Sequence, residues 1–220
     1  RRDFQGGRFE GLLARGDAYR ARAAELGRAY ESAAAFARTP WAPDTVYAQY
    51  YDALQRPSFA AADRIASAHE REALLRSFRW RRSAAGERAE IGRADDDRAW
   101  PTTDIGVDSW SALGLHDWFG SVVYRASLSA RQGPPDKRAF VWLTAVDGAA
   151  QVFVNGSPAR YAPEPGDPAA PVASGGPLRF EVTGALTPGD NTLAIVTTRR
   201  GLTELGLSGL TGPVVLARER

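Results

Sequence analysis

One stretch of this 220-residue chain places an aromatic ring among hydrogen-bonding side chains, because His116, Asp117 and Trp118 are consecutive. An aromatic surface with a few well-placed polar groups is the usual make-up of a ligand site. It suits a sugar, which has an apolar face for the ring and hydroxyl groups for the polar atoms. The competing interpretation is that Trp118 and Phe119 close the edge of a hydrophobic core.

A second polar stretch runs from Arg199 to Glu204, just before the last predicted strand. Binding residues are commonly found on loops held by a rigid scaffold. We therefore predict that Arg199, Arg200 and Glu204 reach the same rim as the stretch around Trp118. The alternative is that these charges are simply solvated.

The acidic residues do not form an evident catalytic pair. Glycoside hydrolysis needs two carboxyl groups held apart, one protonated and one ionised. Asp95–Asp97 lie together in a predicted turn, Asp147 and Asp190 lie in predicted hairpin turns, and Glu204 lies in a loop. We interpret all of them as solvated turn residues, and the sequence predicts no catalytic site within the chain.

Metal ligands are few in this sequence. The run Asp95–Asp97 offers the clustered oxygen atoms that Ca²⁺ prefers, so a structural calcium ion is the one cofactor that the sequence suggests. His69 lacks the second histidine that a zinc-binding helix carries four residues further on. The chain has no cysteine, which excludes disulfides and thiolate sites.

Composition and charge exclude two classes of partner. A net charge of +2 and a charged content of 25% are those of an ordinary globular protein. The basic residues form no concentrated face, so nucleic acid is not expected as a partner. No apolar run is long enough to span a membrane.

The absence of methionine leads us to expect that the chain is a piece of a longer protein.

The first third of the chain is rich in Ala, Arg and Glu, which favours helices. Apolar residues at helical spacing predict a first helix from Asp17 to Arg38, with Asp17 as its N-cap. A second helix is predicted to begin at Asp44. A third begins at Ser58 and extends to Leu75. Their alanine-rich faces would make a thin core, so we expect these helices to pack on the rest of the chain or on a neighbouring domain.

After residue 77 the apolar residues recur at every second position, which indicates strands. Phe78 and Trp80 alternate with arginines, and the continuous apolar run Phe140–Val146 predicts a central strand covered on both faces. Roughly eight short strands separated by turns are typical of a sandwich. We predict an α+β chain in which a helical segment (1–77) precedes a mainly antiparallel β-sandwich (78–220). Four further tryptophans are predicted to be core residues: Trp80, Trp100, Trp110 and Trp142.

Several short motifs in this order resemble a known family. They are the segments 97–100, 107–110, 118–125, 147–156, 180–183, 188–193 and 209–214. Together they resemble the galactose-binding-like jelly roll and are similar to the sugar-binding β-sandwich of family 2 glycoside hydrolases. Residues 1–77 resemble no family and could be the tail of a preceding domain.

The resemblance implies an accessory role. In that family the catalytic acids lie in a separate barrel, so this chain would bind or frame carbohydrate beside a catalytic domain in a secreted or periplasmic enzyme. Two alternatives stay open: a structural scaffold between domains, and an active site assembled between helices and sandwich. An exposed Trp118 ring beside His116 favours sugar binding, whereas a buried ring favours the scaffold.

Overall fold

The computed structural model describes residues 2–33, 51–83, 97–105, 109–134, 136–200 and 208–220. The helical elements are α1 (Arg2–Gln5), α2 (Leu12–Ala33), a π-helical turn (Tyr51–Gln55) and α3 (Arg56–Ala68). The strands are β1 (His69–Leu75), β2 (Ser77–Ser83), β3 (Thr102–Asp104), β4 (Gly120–Ala130), β5 (Ala139–Val154), β6 (Ser157–Pro158), β7 (Arg160–Tyr161), β8 (Val172–Glu181), β9 (Gly189–Arg199), β10 (Gly209–Leu210) and β11 (Val214–Glu219). Among these residues, no helix is long and apolar enough to cross a membrane.

The long strand β5 connects two halves of the antiparallel sheet. Its first part lies between β11 and β8, where Trp142 pairs with Val215 on one side and Arg179 on the other. From Ala149 onward it pairs with β9, whose other neighbour is β4. The main path of the sheet is therefore β1-β11-β5-β9-β4-β2-β3.

The main core shows that the two halves face each other. Tyr124 of β4 and Ile195 of β9 belong to the same buried cluster as Leu216 of β11 and Leu178 of β8. Because β4 and β11 lie far apart along the sheet, their side chains meet only if the sheet folds over. This mainly antiparallel arrangement is consistent with the predicted β-sandwich.

Strand β5 is covered on both faces, as its apolar run predicts. Val141 and Leu143 point into the main core, while Phe140 and Trp142 belong to a second cluster on the opposite face. All four are fully buried. The prediction that Phe140–Val146 is a central strand is confirmed.

The helices form the other side of the second cluster. Phe59, Ala62 and Ile65 of α3 are buried in the same cluster as Trp142, and Phe4 of α1 joins them. The helical layer therefore packs on the outer face of the half-sheet that contains β11 and β5. This packing supplies the core that the alanine-rich helices lack by themselves.

The predicted start of the first helix is wrong. Helix α2 begins at Leu12, and Asp17 lies within it. The backbone N–H groups of Leu12 and Leu13 donate to the carboxylate of Asp63 in α3, at 2.8 and 3.0 Å. A cap supplied from another helix satisfies the same orphan donors as a local one but leaves no local signal in the sequence. The predicted end at Arg38 and the helix start at Asp44 lie outside the described residues.

The third predicted helix is too long. Helix α3 ends at Ala68, and residues 69–75 form β1 instead. This strand pairs with β11, with Leu74 opposite Val215. The sequence HEREALL has good helical propensity, but propensity is a weak preference that the pairing with β11 overrides. The segment predicted as helical thus contributes a strand to the sheet.

The strands after residue 77 follow the prediction more closely. β2 and β4 occur where the alternation indicated. Val152–Val154, predicted as a separate strand, is the end of β5. The last residues of the predicted loop 161–176 belong to β8. Asp147 is buried within β5 and accepts a hydrogen bond from the N–H of Ser208 at 2.9 Å, so its interpretation as a solvated turn residue is wrong.

The two turns with the strongest sequence signals are bonded to each other. Asn155 has a positive φ of 52°, as a tight turn requires. Its amide donates to the side-chain oxygen of Asn191 at 2.8 Å, and its own side-chain oxygen accepts from the N–H of Thr192 at 3.0 Å. Asn191 also accepts from the N–H of Thr187 at 2.8 Å. These bonds hold the end of β5 to the start of β9.

The tryptophans predicted as core residues differ in burial. Trp110 and Trp142 are fully buried. Trp80 is partly buried against the main core, and Trp100 packs on a small cluster around Val123. Trp110 also donates its indole N–H to the hydroxyl of Tyr124 at 2.7 Å.

Candidate functional site

The stretch around Trp118 and Arg199 of the second polar stretch meet at one end of the sandwich. Gly120 at the start of β4 pairs with Arg199 at the end of β9. A guanidinium N–H of Arg199 donates to the carbonyl oxygen of His116 at 3.4 Å. We call this surface the rim and define it by residues 116–121, 198–200 and Arg82. Glu204 lies outside the described residues.

The loop of the rim is anchored by its own apolar residues. Leu115 is fully buried, and its N–H donates to the carbonyl of Trp110 at 2.7 Å. The turn between them passes through Gly114 with a φ of 73°, a conformation that favours glycine. This anchoring leaves the side chains of His116 and Asp117 exposed.

Trp118 is neither fully exposed, as sugar binding would favour, nor fully buried, as the scaffold would favour. Its ring is half-buried, and the guanidinium of Arg82 lies over it, 5.1 Å from the ring centre. The indole N–H points at the carbonyl of Ser121 at 3.4 Å. On the Gly120 side the packing is so close that an added Cβ would lie 2.9 Å from the indole ring. Trp118 is therefore held in place on several sides and presents little free ring surface.

Phe119 presents more of its ring than Trp118 does. It is 44% exposed, and the guanidinium of Arg199 lies 4.9 Å from the ring centre. Sequence reasoning placed Phe119 at the core edge and missed it as a candidate contact. The available signal was its position directly after the polar residues and before the strand. The described part of the rim thus combines an exposed aromatic ring with His116, Asp117 and arginine side chains.

The predicted calcium ligands are only partly described. Asp97 lies 3.6 Å from Nε of Arg125 and 3.8 Å from Nε of Arg79. Asp95 and Asp96 lie outside the described residues. Within the described part of the chain, no group of three or more His, Cys, Asp or Glu side chains is arranged to hold a metal ion. We predicted no cofactor from the sequence, with a structural calcium ion as the alternative, and that alternative stays open.

A cavity of about 540 Å³ lies where the helical layer meets the sheet. We call it the joint cavity and define it by its lining residues: Ala68, His69, Asp136, Lys137, Arg138, Pro163, Glu164, Pro165, Arg179, Glu219 and Arg220. Sequence reasoning missed this cavity. Its residues come from well-separated segments, and no local motif marks them.

The carboxylates of the joint cavity are engaged by arginines. Glu219 accepts from Arg138 at 2.5 Å, and Arg138 holds the pKa of this carboxyl below its usual value. Glu164 forms ion pairs with Arg64, at 2.7 Å, and with Arg179. A glycosidase needs one carboxyl whose pKa is raised, so that it is protonated and acts as the acid. Glu219 has the opposite shift, which suits its ion pair with Arg138 rather than the role of the acid.

Comparison with known proteins gives structural neighbours alone. No protein-family model matches the sequence, and no curated protein matches it. The chain is similar in structure to a β-glucuronidase of Bacteroides uniformis (21% identity, TM-score 0.50, covering 68% of this chain and 18% of that one). It is also similar to a β-glucuronidase of an uncultured Clostridium sp. (16%, 0.52, 70% and 29%). A third neighbour is a glycosyl hydrolase family 2 member of Bacteroides cellulosilyticus (17%, 0.52, 68% and 21%).

At these identities the likeness concerns the fold. The chain spans less than a third of the length of each of these neighbours. It shares its fold with one part of these larger glycosidase chains.

Proposed function

We propose that this chain is a non-catalytic accessory region of a larger glycoside hydrolase related to family 2, and that it contacts carbohydrate next to a catalytic domain. The proposal is supported by the fold, which covers about two thirds of this chain but a small part of each neighbouring glycosidase. As the resemblance to family 2 glycoside hydrolases implies, the proposal includes a secreted or periplasmic location. Fractionation of the native cells tests that part.

The observation that carries the proposal is the convergence of aromatic and polar groups at the rim. Phe119 is 44% exposed, and the exposed His116 and Asp117 precede it in the same loop. Arg199 connects this loop to the end of β9 through its bond to the carbonyl of His116. In this proposal Phe119 packs on the apolar face of a sugar, while His116, Asp117 and Arg199 bond to hydroxyl groups. Trp118, packed between Arg82 and Gly120, positions the loop.

One observation favours the alternative that the chain is a structural scaffold between domains. Guanidinium groups already lie over both rings of the rim, Arg82 over Trp118 and Arg199 over Phe119. Arginine packed on an aromatic ring is also common where two protein surfaces meet. In this second candidate function the rim contacts a neighbouring domain and no sugar.

A calorimetric titration of the intact chain with plant, algal and host oligosaccharides tests the first candidate. We expect at least one of them to bind, and we expect Phe119→Ala to weaken that binding roughly tenfold, because it removes the exposed ring. His116→Ala should weaken it less. Tyr19→Ala is the matched control, since it removes an exposed aromatic ring from α2, away from the rim.

Two results would end the carbohydrate proposal. One is that no oligosaccharide binds to a correctly folded chain. The other is that binding occurs but is as strong in Phe119→Ala and His116→Ala as in the unchanged chain. Either result would favour the scaffold.

A further inference from the structure

The only two asparagines of this chain, Asn155 and Asn191, are hydrogen-bonded to each other. Nδ2 of Asn155 donates to Oδ1 of Asn191 at 2.8 Å and to the carbonyl of Ala185 at 3.0 Å. Its Oδ1 accepts from the N–H of Thr192 at 3.0 Å. Both ends of the Asn155 amide are therefore engaged, and the main-chain partners fix its orientation. We call Asn155 and Asn191 the asparagine pair.

The amide of Asn191 cannot turn over to suit a changed partner. Its side chain is almost fully buried. Its Nδ2 donates to the carbonyls of Thr187 and Gly189, at 2.7 and 2.9 Å, and its Oδ1 also accepts from the N–H of Thr187 at 2.8 Å. A turned amide would lose all three bonds. Asn191 therefore offers Asn155 an acceptor and no donor.

Asn155 and Gly156 also carry the reactive groups for asparagine deamidation. The main-chain nitrogen of Gly156 can attack Cγ of Asn155, so that a new C–N bond forms, the bond from Cγ to Nδ2 breaks, and ammonia leaves with the proton of the attacking N–H. Water then opens the cyclic imide to aspartate or isoaspartate. Glycine obstructs this attack least because it has no side chain. Gly156 is exposed and has a φ of 83° in the tight turn after β5.

We propose that Asn155–Gly156 is a deamidation site, that the asparagine pair slows the reaction, and that the reaction separates the pair irreversibly. The attack makes Cγ tetrahedral and removes Nδ2 from its two acceptors, so these bonds must break before the product forms. Breaking them is a local opening of the structure, and the reaction waits for it.

The product cannot restore the pair. It carries an oxygen in place of Nδ2, and this oxygen faces two acceptors, Oδ1 of Asn191 and the carbonyl of Ala185. Acceptors that lose their donor in a folded chain destabilise it. The turn after β5 should therefore come away from the start of β9. This inference does not depend on the rim or on the proposed function.

Mass spectrometry of the intact chain after incubation at mildly alkaline pH tests the first part of the proposal. Trypsin cleaves after arginine and so separates Asn155, in residues 139–160, from Asn191, in residues 180–199. In guanidinium chloride Asn155 should deamidate faster than Asn191, which precedes a threonine. In the folded chain, deamidation of Asn155 should be slower than in the unfolded chain by roughly tenfold or more, the factor that one lost hydrogen bond gives. Equal rates in the folded and unfolded chains would overturn the proposal.

A variant tests whether the asparagine pair is the cause. Asn191→Ala removes one acceptor of Nδ2 and should raise the rate at Asn155 in the folded chain roughly tenfold. Ser157→Ala changes an exposed side chain of the same turn and is the control, for which the rate should stay the same. An unchanged rate in a folded Asn191→Ala chain, checked by circular dichroism, would overturn the proposal.

Asn155→Asp makes one reaction product directly and does not depend on the folding of Asn191→Ala. The main-chain N–H at position 155 donates to the carbonyl of Thr192 at 2.9 Å. Its hydrogen exchange should become roughly tenfold faster in the variant. Exchange at Gly120 and Arg199, which pair at the other end of β9, should not change. Unchanged exchange at position 155 would overturn the claim that deamidation separates the pair.

Discussion

Arginine side chains pack on aromatic rings both at the rim and at the joint cavity, but the rings differ in their burial. At the rim, Arg82 and Arg199 lie over Trp118 and Phe119, which are on a loop and partly exposed. In the joint cavity, arginines lie over rings that are fully buried within β5. The rings of the rim lie on a surface loop, whereas those beneath the joint cavity belong to the core. We therefore expect changes in the core to alter the joint cavity and to leave the rim intact.

The largest expected effect comes from a buried ring that packs against Arg179 beneath the joint cavity. Trp142→Ala should lower the free energy of unfolding by about 3–5 kcal/mol, because it leaves a hole beneath Arg64 and Arg179. Trp118→Ala should cost less than half as much, since this ring is half-buried. Urea unfolding of both variants measures the difference. Equal losses would contradict the contrast between the fully buried ring beneath the cavity and the half-buried ring at the rim.

The next largest effect is expected from the buried ion pair Glu72–Arg218, which contacts the main chain of Lys137. Glu72 accepts from Nε of Arg218 at 2.8 Å, and Arg218 donates to the main-chain carbonyl of Lys137 at 3.2 Å. The side chains of the pair are 3% and 10% exposed, so Glu72→Ala leaves a buried charge without its partner. We expect a loss of about 3 kcal/mol in the free energy of unfolding.

Glu70 provides the matched control for that experiment. It lies on the same strand and pairs with Arg131, but both side chains are about 60% exposed. Exposed pairs contribute little, so Glu70→Ala should leave the unfolding curve almost unchanged. If the two variants behave alike, the buried pair does not support this region.

A smaller effect concerns the distant cap of α2. Asp63→Ala removes the acceptor of the N–H groups of Leu12 and Leu13 and should cost about 1 kcal/mol. Asp63→Asn keeps one acceptor oxygen and should cost less. Hydrogen exchange at the start of α2 measures the effect locally. Unchanged protection there in Asp63→Ala would show that the cap is not important.

The smallest expected effect is a pH dependence from His69. Its ring packs edge-on against Phe140 and Trp142 and faces Glu164, Glu219 and Arg179. Burial lowers its pKa below 6.5, so the unfolded chain binds a proton that the folded chain does not. Stability therefore decreases as the pH falls below about 6.5 and levels off beneath the folded pKa.

His69→Gln should flatten that part of the stability curve. Glu219, whose pKa is lowered by Arg138, contributes only at more acidic pH, so the two effects separate. Thermal unfolding between pH 7 and 5 measures the flattening. A curve that keeps its slope in His69→Gln would refute this explanation.

The rim was predictable because its chemistry is contiguous in sequence. His116, Asp117 and Trp118 are neighbours, and the alternation of the flanking strands predicts where the loop must lie. The exposure of Phe119 was not predictable, because the sequence does not show that Arg82 and Gly120 enclose Trp118. The period-two pattern also predicted the central strand of β5.

The joint cavity and two helix boundaries could not be predicted from the local sequence. The lining of the cavity combines His69, residues 136–138, 163–165, Arg179 and the last residues of the described chain, which meet only when β1, β5, β8 and β11 pair. The start of α2 depends on Asp63, and the strand β1 depends on β11. These features arise from tertiary pairing, which outweighs local helix propensity.

The central claim is that the rim contacts carbohydrate, and nuclear magnetic resonance of the ¹⁵N-labelled intact chain tests it most directly. During titration with the best-binding oligosaccharide, the account predicts that amide signals of residues 116–120 and 198–200 shift in a saturable way and that those of α2 do not. Saturable shifts confined to other surfaces, or none with any oligosaccharide while the spectrum stays that of a folded chain, would contradict it.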